Sequence, residues 1–182
     1  MEYAGDVFLF SNIMRGLMVD DSRAPPWGAS LVLVLATAMA GATGGIVTRS
    51  GKPLWYSSLQ KSALTPPDWV FGVVWPGLFS LMTLSALLVL WRAKSLHAAS
   101  RPMGIYFAML MVNVGWSLFF FGLKQVELSL GVLMALWLLI LAMMGEFGRI
   151  SKAAAWLQLP YLLWVSFAGY LNLYIWSANP AG

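Results

Sequence analysis

Five long stretches of the chain contain no charged residue and no histidine. They run over residues 28–48, 69–91, 102–123, 128–145 and 153–178. Each is close to the roughly 20 residues that a helix needs to cross about 30 Å of hydrocarbon. Because apolar and polar positions do not alternate within them, they favour helices over the strands of a membrane barrel. The pattern predicts an all-α integral membrane protein built as a bundle of five transmembrane helices.

The composition supports this interpretation. Sixty per cent of the 182 residues are apolar and only 10% are charged, whereas soluble domains average about 25% charged residues. The absence of cysteine excludes disulfides, thiolate nucleophiles and cysteine-bound metal ions. A single histidine cannot form a histidine metal cluster within one chain, and the eleven basic residues are scattered. We therefore expect no metal site and no nucleic-acid partner.

The basic residues outside the predicted spans indicate the orientation. With five spans, the N-terminal segment and the loops after the second and fourth spans share one face. That face carries Arg15, Arg23, Arg92, Lys94, Arg101, Arg149 and Lys152, and the other carries Arg49, Lys52, Lys61 and Lys124. Since positive charge concentrates on the cytoplasmic side, we expect a multi-pass membrane protein with a cytoplasmic N-terminus and lipid around its spans.

Residues 1–26 precede the first span and form an N-terminal extension to a membrane domain at 27–182. Within the extension, Phe10, Ile13 and Leu17 have helical spacing, which is typical of a helix that lies on a membrane surface or on a partner. A loosely ordered tail is the alternative. As a docking helix, the segment would attach the chain to a larger membrane complex.

The spans contain aromatic residues but no ionisable group for a proton relay or an ion pump, so the pattern disfavours both functions. Four tryptophans lie deep in the spans, namely Trp75, Trp116, Trp137 and Trp164. Turned inward, their rings would line a flat apolar cavity suited to a planar hydrophobic ligand. Aromatic core packing is the alternative.

Two asparagines, Asn113 and Asn172, also lie deep in the spans. Their amides need hydrogen-bond partners away from lipid. Bonds between helices and orientation of a bound ligand are both compatible with these positions.

Small residues at four-residue spacing predict close contacts between helices. In the first span, Gly41 and Gly45 favour packing within the bundle. A longer stripe in the third span favours a homodimer, and its members are Gly104, Ala108, Gly115 and Gly122.

Several segments carry a specific resemblance to a known family. They are Trp55–Lys61, Pro66–Trp75, Asn113–Trp116, Phe119–Gly122, Pro160–Trp164 and Ala168–Asn172. In this order they resemble the tryptophan-rich sensory protein and translocator protein family, which is also the peripheral benzodiazepine receptor family. The resemblance covers about residues 30 to 179 and includes all five predicted spans.

The resemblance implies a five-helix bundle, usually a homodimer, with a ligand pocket between the helices that the first loop closes. Porphyrins, sterols and synthetic aromatic compounds are the ligands it implies, and no cofactor is required. The matching motifs and the deep amides assign the pocket to Trp69, Asn113, Trp116, Trp137, Trp164, Ala168, Leu171 and Asn172. The closing loop includes Trp55, Tyr56, Pro66 and Pro67.

Departures from the family pattern change what is expected of the ligand. Leu64 replaces an aromatic residue that usually precedes the proline pair. Porphyrin chemistry that uses an indole at this position is therefore disfavoured. Met109 and Phe79 replace a glutamine and a tyrosine, so the pocket is less polar than usual. No basic residue follows Tyr170 or Tyr174, which weakens the case for a sterol.

These observations favour a membrane receptor or sensor that binds a tetrapyrrole, such as protoporphyrin IX or haem. Such binding would be linked to regulation or transport of pigment or stress metabolites. Arg49, Lys52 and Lys61 are the available donors for its propionates. The alternatives are a light-dependent porphyrin-degrading enzyme without catalytic residues in the spans, a transporter of hydrophobic small molecules, and an accessory subunit of a membrane complex.

Overall fold

A computed structural model describes residues 26–51 and 55–179, and these ranges are helical with no strand. The helices are α1 (Trp27–Gly51), α2 (Asp68–Arg92), α3 (Leu96–Ser117), α4 (Val126–Ile150), α5 (Lys152–Trp156) and α6 (Leu159–Ala178). A π-helical turn, Leu118–Gly122, continues α3. The N-terminal extension, with its predicted interfacial helix, lies outside the described residues.

Four of these helices are long and apolar enough to cross a membrane, namely α1, α2, α3 with its π-helical turn, and α4. The chain is therefore an integral membrane protein. Helix α6 is twenty residues long and is not among these four. The fifth span thus stays a prediction.

The predicted stretch 153–178 is divided into two helices. Helix α5 ends at Trp156, and α6 begins at Leu159 with Pro160 in its first turn. Proline has no N–H to continue a preceding helix but fits the first turn of a new one. Gln158, one of the two residues between the helices, lies in the interior and is fully buried.

Helix α4 lies at the centre of the packing. Its buried apolar residues recur at alternating spacings of three and four, so they form one stripe along the helix. They are Leu133, Leu136, Ile140, Met143 and Phe147, and all belong to the main core together with residues of α1, α2, α3 and α6. The opposite side of α4 carries Met134 and Leu138, which are exposed at the outside of the bundle.

Hydrogen bonds and one close approach connect the outer helices. Thr37 of α1 and Tyr106 of α3 share a bond of 2.6 Å between their hydroxyl oxygens. A Cβ atom on Gly41 would lie 3.2 Å from the Phe79 ring of α2, whereas one on Gly45 would meet nothing within 4 Å. Of the two glycines, Gly41 is therefore the one at a tight helix contact.

Short connections make successive long helices run in opposite directions, which gives the bundle two ends. We call the loop end the one formed by residues 49–51, 55–68, 118–129 and 170–179. The far end is formed by residues 90–103 and 143–158. The described part of the connection between α1 and α2, residues 55–67, lies at the loop end.

Candidate ligand-binding site

Six aromatic side chains form a continuous cluster at the loop end. Its members are Trp55, Tyr56, Trp75, Trp116, Phe120 and Phe121, and we call them the aromatic cluster. The Trp116 ring stacks on Phe120 at 5.7 Å and on Trp75 at 6.5 Å between ring centroids. Phe120 meets Trp55 edge-on at 5.6 Å. Offset and edge-to-face pairs at these distances are the favourable arrangements of aromatic rings.

The π-helical turn explains how two consecutive phenylalanines both join this cluster. In a regular helix neighbouring side chains diverge by about 100°. Here the backbone N–H of Leu123 donates to the Leu118 carbonyl at 2.8 Å, five residues back, which widens the turn. As a result Phe120 and Phe121 are only 3% and 8% exposed.

A partly open cavity of about 650 Å³ adjoins the aromatic cluster at the loop between α1 and α2. It is lined by Arg49, Tyr56, Ser57, Lys61, Ser62, Thr65, Pro66 and Asp68. Tyr56 belongs to both features, because its ring also lies 5.6 Å from that of Phe121. The polar cavity and the aromatic cluster are therefore parts of one region.

The hydroxyl of Tyr56 stays protonated at neutral pH. Burial raises the pKa of this phenol above its usual value, and the negative charge of Asp68 raises it further. The ammonium of Lys61 lies 4.7 Å from the centre of the Tyr56 ring and donates to the Tyr56 carbonyl at 2.9 Å. This cation–π contact fixes a positive charge at the wall of the cavity.

Three hydrogen bonds fasten the loop to α6, and we call them the loop latch. The backbone N–H of Gln60 donates to Asn179 Oδ1 at 2.9 Å, and Asn179 Nδ2 donates to the Gln60 carbonyl at 3.0 Å. The hydroxyls of Ser62 and Tyr170 lie 3.0 Å apart. The latch holds residues 60 and 62 of the loop against the C-terminal part of α6.

The structure brings together only some of the predicted site residues. Trp55, Tyr56 and Trp116 belong to the aromatic cluster, and Pro66 lines the cavity. Trp69, at the start of α2, is 70% exposed at the outside of the bundle.

The predicted residues of α4 and α6 lie elsewhere along the bundle. Trp164 packs against Phe71 of α2 at 5.6 Å between ring centroids, and the Trp137 indole donates to Ser166 Oγ at 2.9 Å. Ala168 is half-buried against the main core, and Leu171 is buried. Pro67 precedes α2 at an exposed position.

Both deep asparagines form hydrogen bonds between helices. The Asn113 amide of α3 donates to the Tyr161 hydroxyl of α6. Asn172 of α6 contacts the Ser129 hydroxyl of α4 at 2.9 Å in either orientation of its amide. Of the two alternatives that the sequence left open, the structure shows the interhelical bonds.

The small-residue stripe of α3 lies toward the outside of the bundle. Gly104 and Gly122 are exposed, Ala108 and Gly115 are partly so, and Met111 between them is 75% exposed. A helix face with small residues and little cover can approach another helix closely. The homodimer contact at this stripe stays a prediction.

Several residues of the region were not assigned to the site from the sequence. Phe120 and Phe121 were visible only within a family motif, and nothing in the sequence indicated that both turn inward. The Trp116 indole N–H is buried and has no hydrogen-bond partner among the described residues. It is therefore a donor that a ligand acceptor could satisfy.

Comparison with known proteins decides the family. The model of the TspO/MBR family matches residues 32–177, which is most of the chain. The chain belongs to the TspO/MBR family. Residues 1–31 of this TspO/MBR protein lie outside the match.

Individual relatives agree with this assignment. The chain is 38% identical to the tryptophan-rich protein TspO of Chlorobaculum tepidum over 148 residues, covering 81% of this chain and 92% of the relative. It is 34% identical to the tryptophan-rich sensory protein of Cereibacter sphaeroides over 147 residues, covering 80% and 88%. It is also 34% identical to the Bos taurus translocator protein over 160 residues, covering 86% and 93%.

Proposed function

We propose that this TspO/MBR protein is a membrane receptor that binds a planar hydrophobic ligand of the tetrapyrrole class at the loop end. The observation that carries the proposal is the aromatic cluster beside a cavity of about 650 Å³. Stacked rings offer flat apolar faces, and ligand cavities of roughly 300–1,000 Å³ are typical of small-molecule sites. Binding of this ligand would be linked to the regulation or the transport of pigment or stress metabolites.

The aromatic cluster offers both stacking faces and one polar handle. Trp116 and Phe120 are nearly parallel, with an angle of 26° between their planes. The buried indole N–H of Trp116 adds a donor for a ring nitrogen or a carbonyl of the ligand.

A titration with protoporphyrin IX in the dark tests this proposal. The ten tryptophans of the detergent-purified protein report binding through quenching of their fluorescence. We expect saturable quenching in the wild type, and an affinity about two- to tenfold weaker in Phe120→Leu because one stacking partner is lost. This substitution leaves every tryptophan in place.

Phe147→Leu is the matched control, because Phe147 is a buried phenylalanine stacked on Tyr106, away from the cluster. Its affinity should equal that of the wild type. Linear quenching without saturation, unchanged by Phe120→Leu, would contradict a tetrapyrrole site at the loop end.

We also propose that α6 is the fifth span and that the N-terminus is cytoplasmic. At 1.5 Å per residue, its twenty residues reach about 30 Å. The helix has no charged residue and packs beside α4, and Trp176 near its end is an amphipathic aromatic of the kind common near membrane interfaces. Since the chain has no cysteine, single cysteines added at residues 97 and 179 should react with membrane-impermeant reagents from opposite sides.

A further inference from the structure

The two ends of the bundle differ in charge. Among the described residues, the far end carries five lysines and arginines against one carboxylate, whereas the loop end carries three against two. The charged groups of the far end are Arg92, Lys94, Arg101, Arg149, Lys152 and Glu146. An excess of positive charge at one end of a membrane protein attracts anionic lipid headgroups.

Two tryptophans indicate that this end lies at the headgroup layer. Trp91, in the last turn of α2, is 45% exposed, and Trp156, at the end of α5, is 67% exposed. An exposed indole of a membrane protein is favoured at headgroup depth, where its ring has apolar surroundings and its N–H is near water. The neighbouring cations are therefore at the depth of lipid phosphates.

Glu146 holds two of these cations together between α3 and α4. Arg101 Nη2 lies 3.1 Å and Arg149 Nη1 lies 3.0 Å from the same atom, Oε1 of Glu146. The carboxylate side chain is 13% exposed, whereas those of Arg101 and Arg149 are 74% and 72% exposed. A guanidinium has five N–H donors, so both arginines keep donors for an oxygen anion outside the bundle. With its carboxylate, the pair retains one positive charge, which suits the single negative charge of a phosphodiester.

A shallow recess without side chains lies next to this arginine pair. Gly104 follows Arg101 by three residues and Gly145 precedes Arg149 by four, so each glycine shares a helix face with its arginine. Because α3 begins and α4 ends at the far end, both glycines lie about one turn nearer the membrane centre. A Cβ atom on either glycine would meet nothing within 4 Å among the described residues. The glycerol and upper acyl chain of a lipid would fit this recess below its phosphate.

We propose that Arg101 and Arg149 bind the phosphate of an anionic phospholipid. Its glycerol backbone and acyl chains lie along Gly104 and Gly145, and Glu146 positions the two guanidinium groups. The other cations of the far end favour a headgroup with net negative charge, such as phosphatidylglycerol, over zwitterionic phosphatidylcholine. The site lies at the opposite end of the bundle from the proposed tetrapyrrole site and does not depend on it.

Native mass spectrometry of the delipidated protein in detergent tests the headgroup contact. The dissociation constant of the first bound lipid is measured for phosphatidylglycerol and for phosphatidylcholine with identical acyl chains. We expect the wild type to bind phosphatidylglycerol about three- to tenfold more tightly. Arg101→Gln and Arg149→Gln should each remove most of this preference. Arg101→Lys should retain part of it, because the charge remains while the planar fork is lost.

Lys124→Gln is the matched control for charge. Lys124 is an exposed cation at the loop end, in the connection between α3 and α4. Its removal should leave the preference for phosphatidylglycerol unchanged. If Lys124→Gln lowers the preference as much as Arg101→Gln does, lipid binds through overall charge, and the site is overturned. Equal affinity of the wild type for the two lipids would also overturn it.

Gly145→Leu tests the recess separately from the charge. Its Cβ has room in the fold, but the new side chain would occupy the space of the lipid, so both lipids should bind about threefold more weakly. Gly131→Leu is the matched control. Gly131 is exposed on the same helix nearer the loop end, and its Cβ would also meet nothing within 4 Å. Gly131→Leu should leave the first dissociation constant unchanged.

Two other occupants of this face are distinguished by the same spectra. If inorganic phosphate displaces phosphatidylglycerol and Gly145→Leu has no effect, the arginine pair holds a free phosphate, and the assignment to a lipid is overturned. If Gly145→Leu converts dimers to monomers without changing the affinity for lipid, this face is a contact between two copies of the chain. That result would also overturn the lipid site.

Discussion

At the far end of the bundle, the described apolar side chains pack against one another, whereas at the loop end aromatic rings lie beside a cavity. Val89, Tyr106, Phe147 and Ala154 are fully buried at the far end or just inside it. The Ser85 hydroxyl there donates to the Ala154 carbonyl at 2.7 Å and joins α2 to α5. The hydroxyl is thereby satisfied within the protein.

At the loop end, buried groups are left with capacity to bind. The Trp116 indole and the Thr65 hydroxyl are buried without partners among the described residues, and the covering loop is held by the few bonds of the loop latch. Binding regions are drawn from the less stable parts of a structure, since a ligand must enter them. Similar apolar composition thus serves packing at the far end and, in the proposed function, recognition at the loop end.

The largest expected effect is on stability at the far end. Phe147→Ala should lower the free energy of unfolding by about 3–5 kcal/mol, because a fully buried ring leaves a cavity that the packed core cannot fill. Phe120→Ala should cost about 2 kcal/mol, since the adjoining cavity and the loop allow the site to relax. Reversible denaturation in mixed detergent micelles measures both values.

Circular dichroism of each variant provides the control that the helices form before denaturation begins. The proposed difference between the two ends is contradicted if Phe120→Ala lowers the free energy of unfolding as much as Phe147→Ala does. It is also contradicted if Phe147→Ala weakens porphyrin binding in the folded protein as strongly as Phe120→Ala does.

A smaller effect, in this case a gain of stability, is expected at Gln158. Among the described residues of the far end, it is the one whose buried side-chain polar atoms lack hydrogen-bond partners. Its side chain is fully buried, and neither Oε1 nor Nε2 has a hydrogen-bond partner within residues 26–51 and 55–179. Gln158→Leu removes both polar atoms at similar volume, so it should raise the free energy of unfolding by about 1 kcal/mol. The same denaturation assay measures the gain.

Gln125→Leu serves as the control, because Gln125 is exposed and its side chain does not cap α4. It should change the free energy of unfolding by less than about 0.5 kcal/mol. A loss of stability in Gln158→Leu would mean that the Gln158 amide is hydrogen-bonded. The buried polar groups described at the far end would then all have hydrogen-bond partners.

The long helices were predictable as long uncharged stretches, but charged residues do not always mark their ends. Arg101 lies inside α3, which begins at Leu96 and not at 102, and Arg149 lies inside α4, which continues past 145. The predicted stretch 69–91 corresponds to α2 at Asp68–Arg92, and 128–145 lies within α4 at Val126–Ile150. The break between α5 and α6 was not predictable from charge, because residues on both sides of it are uncharged. Only Pro160 indicated that a new helix begins there.

The site was predictable in its residue types but not in its arrangement. Tyr56 and Trp116 were assigned to it and do belong to the aromatic cluster. The inward turn of Phe120 and Phe121 depends on a π-helical turn, which has no periodic sequence signal. The attachment of the loop to α6 depends on Asn179, which contacts a loop residue 119 positions away.

The smallest expected effect concerns the rate at which the loop end opens. Asn179→Ala removes two bonds of the loop latch. Because Gln60 makes both bonds with its backbone, truncation of the Gln60 side chain would not remove them. Exposed hydrogen bonds contribute about 0.5–1 kcal/mol each, so loop opening should be favoured and protoporphyrin IX should dissociate about threefold faster. The equilibrium affinity should change less, because an open loop also speeds entry.

Stopped-flow displacement of bound protoporphyrin IX measures this rate, with Ser177→Ala as the control. Among the described residues, the Ser177 hydroxyl bonds only the Tyr174 carbonyl of its own helix, at the same end of α6. It should therefore leave dissociation unchanged, whereas Ser62→Ala, which removes the remaining bond of the latch, should add to the effect of Asn179→Ala. An unchanged rate in Asn179→Ala would show that ligand leaves by another route, and the loop end would then be a fixed wall of the site.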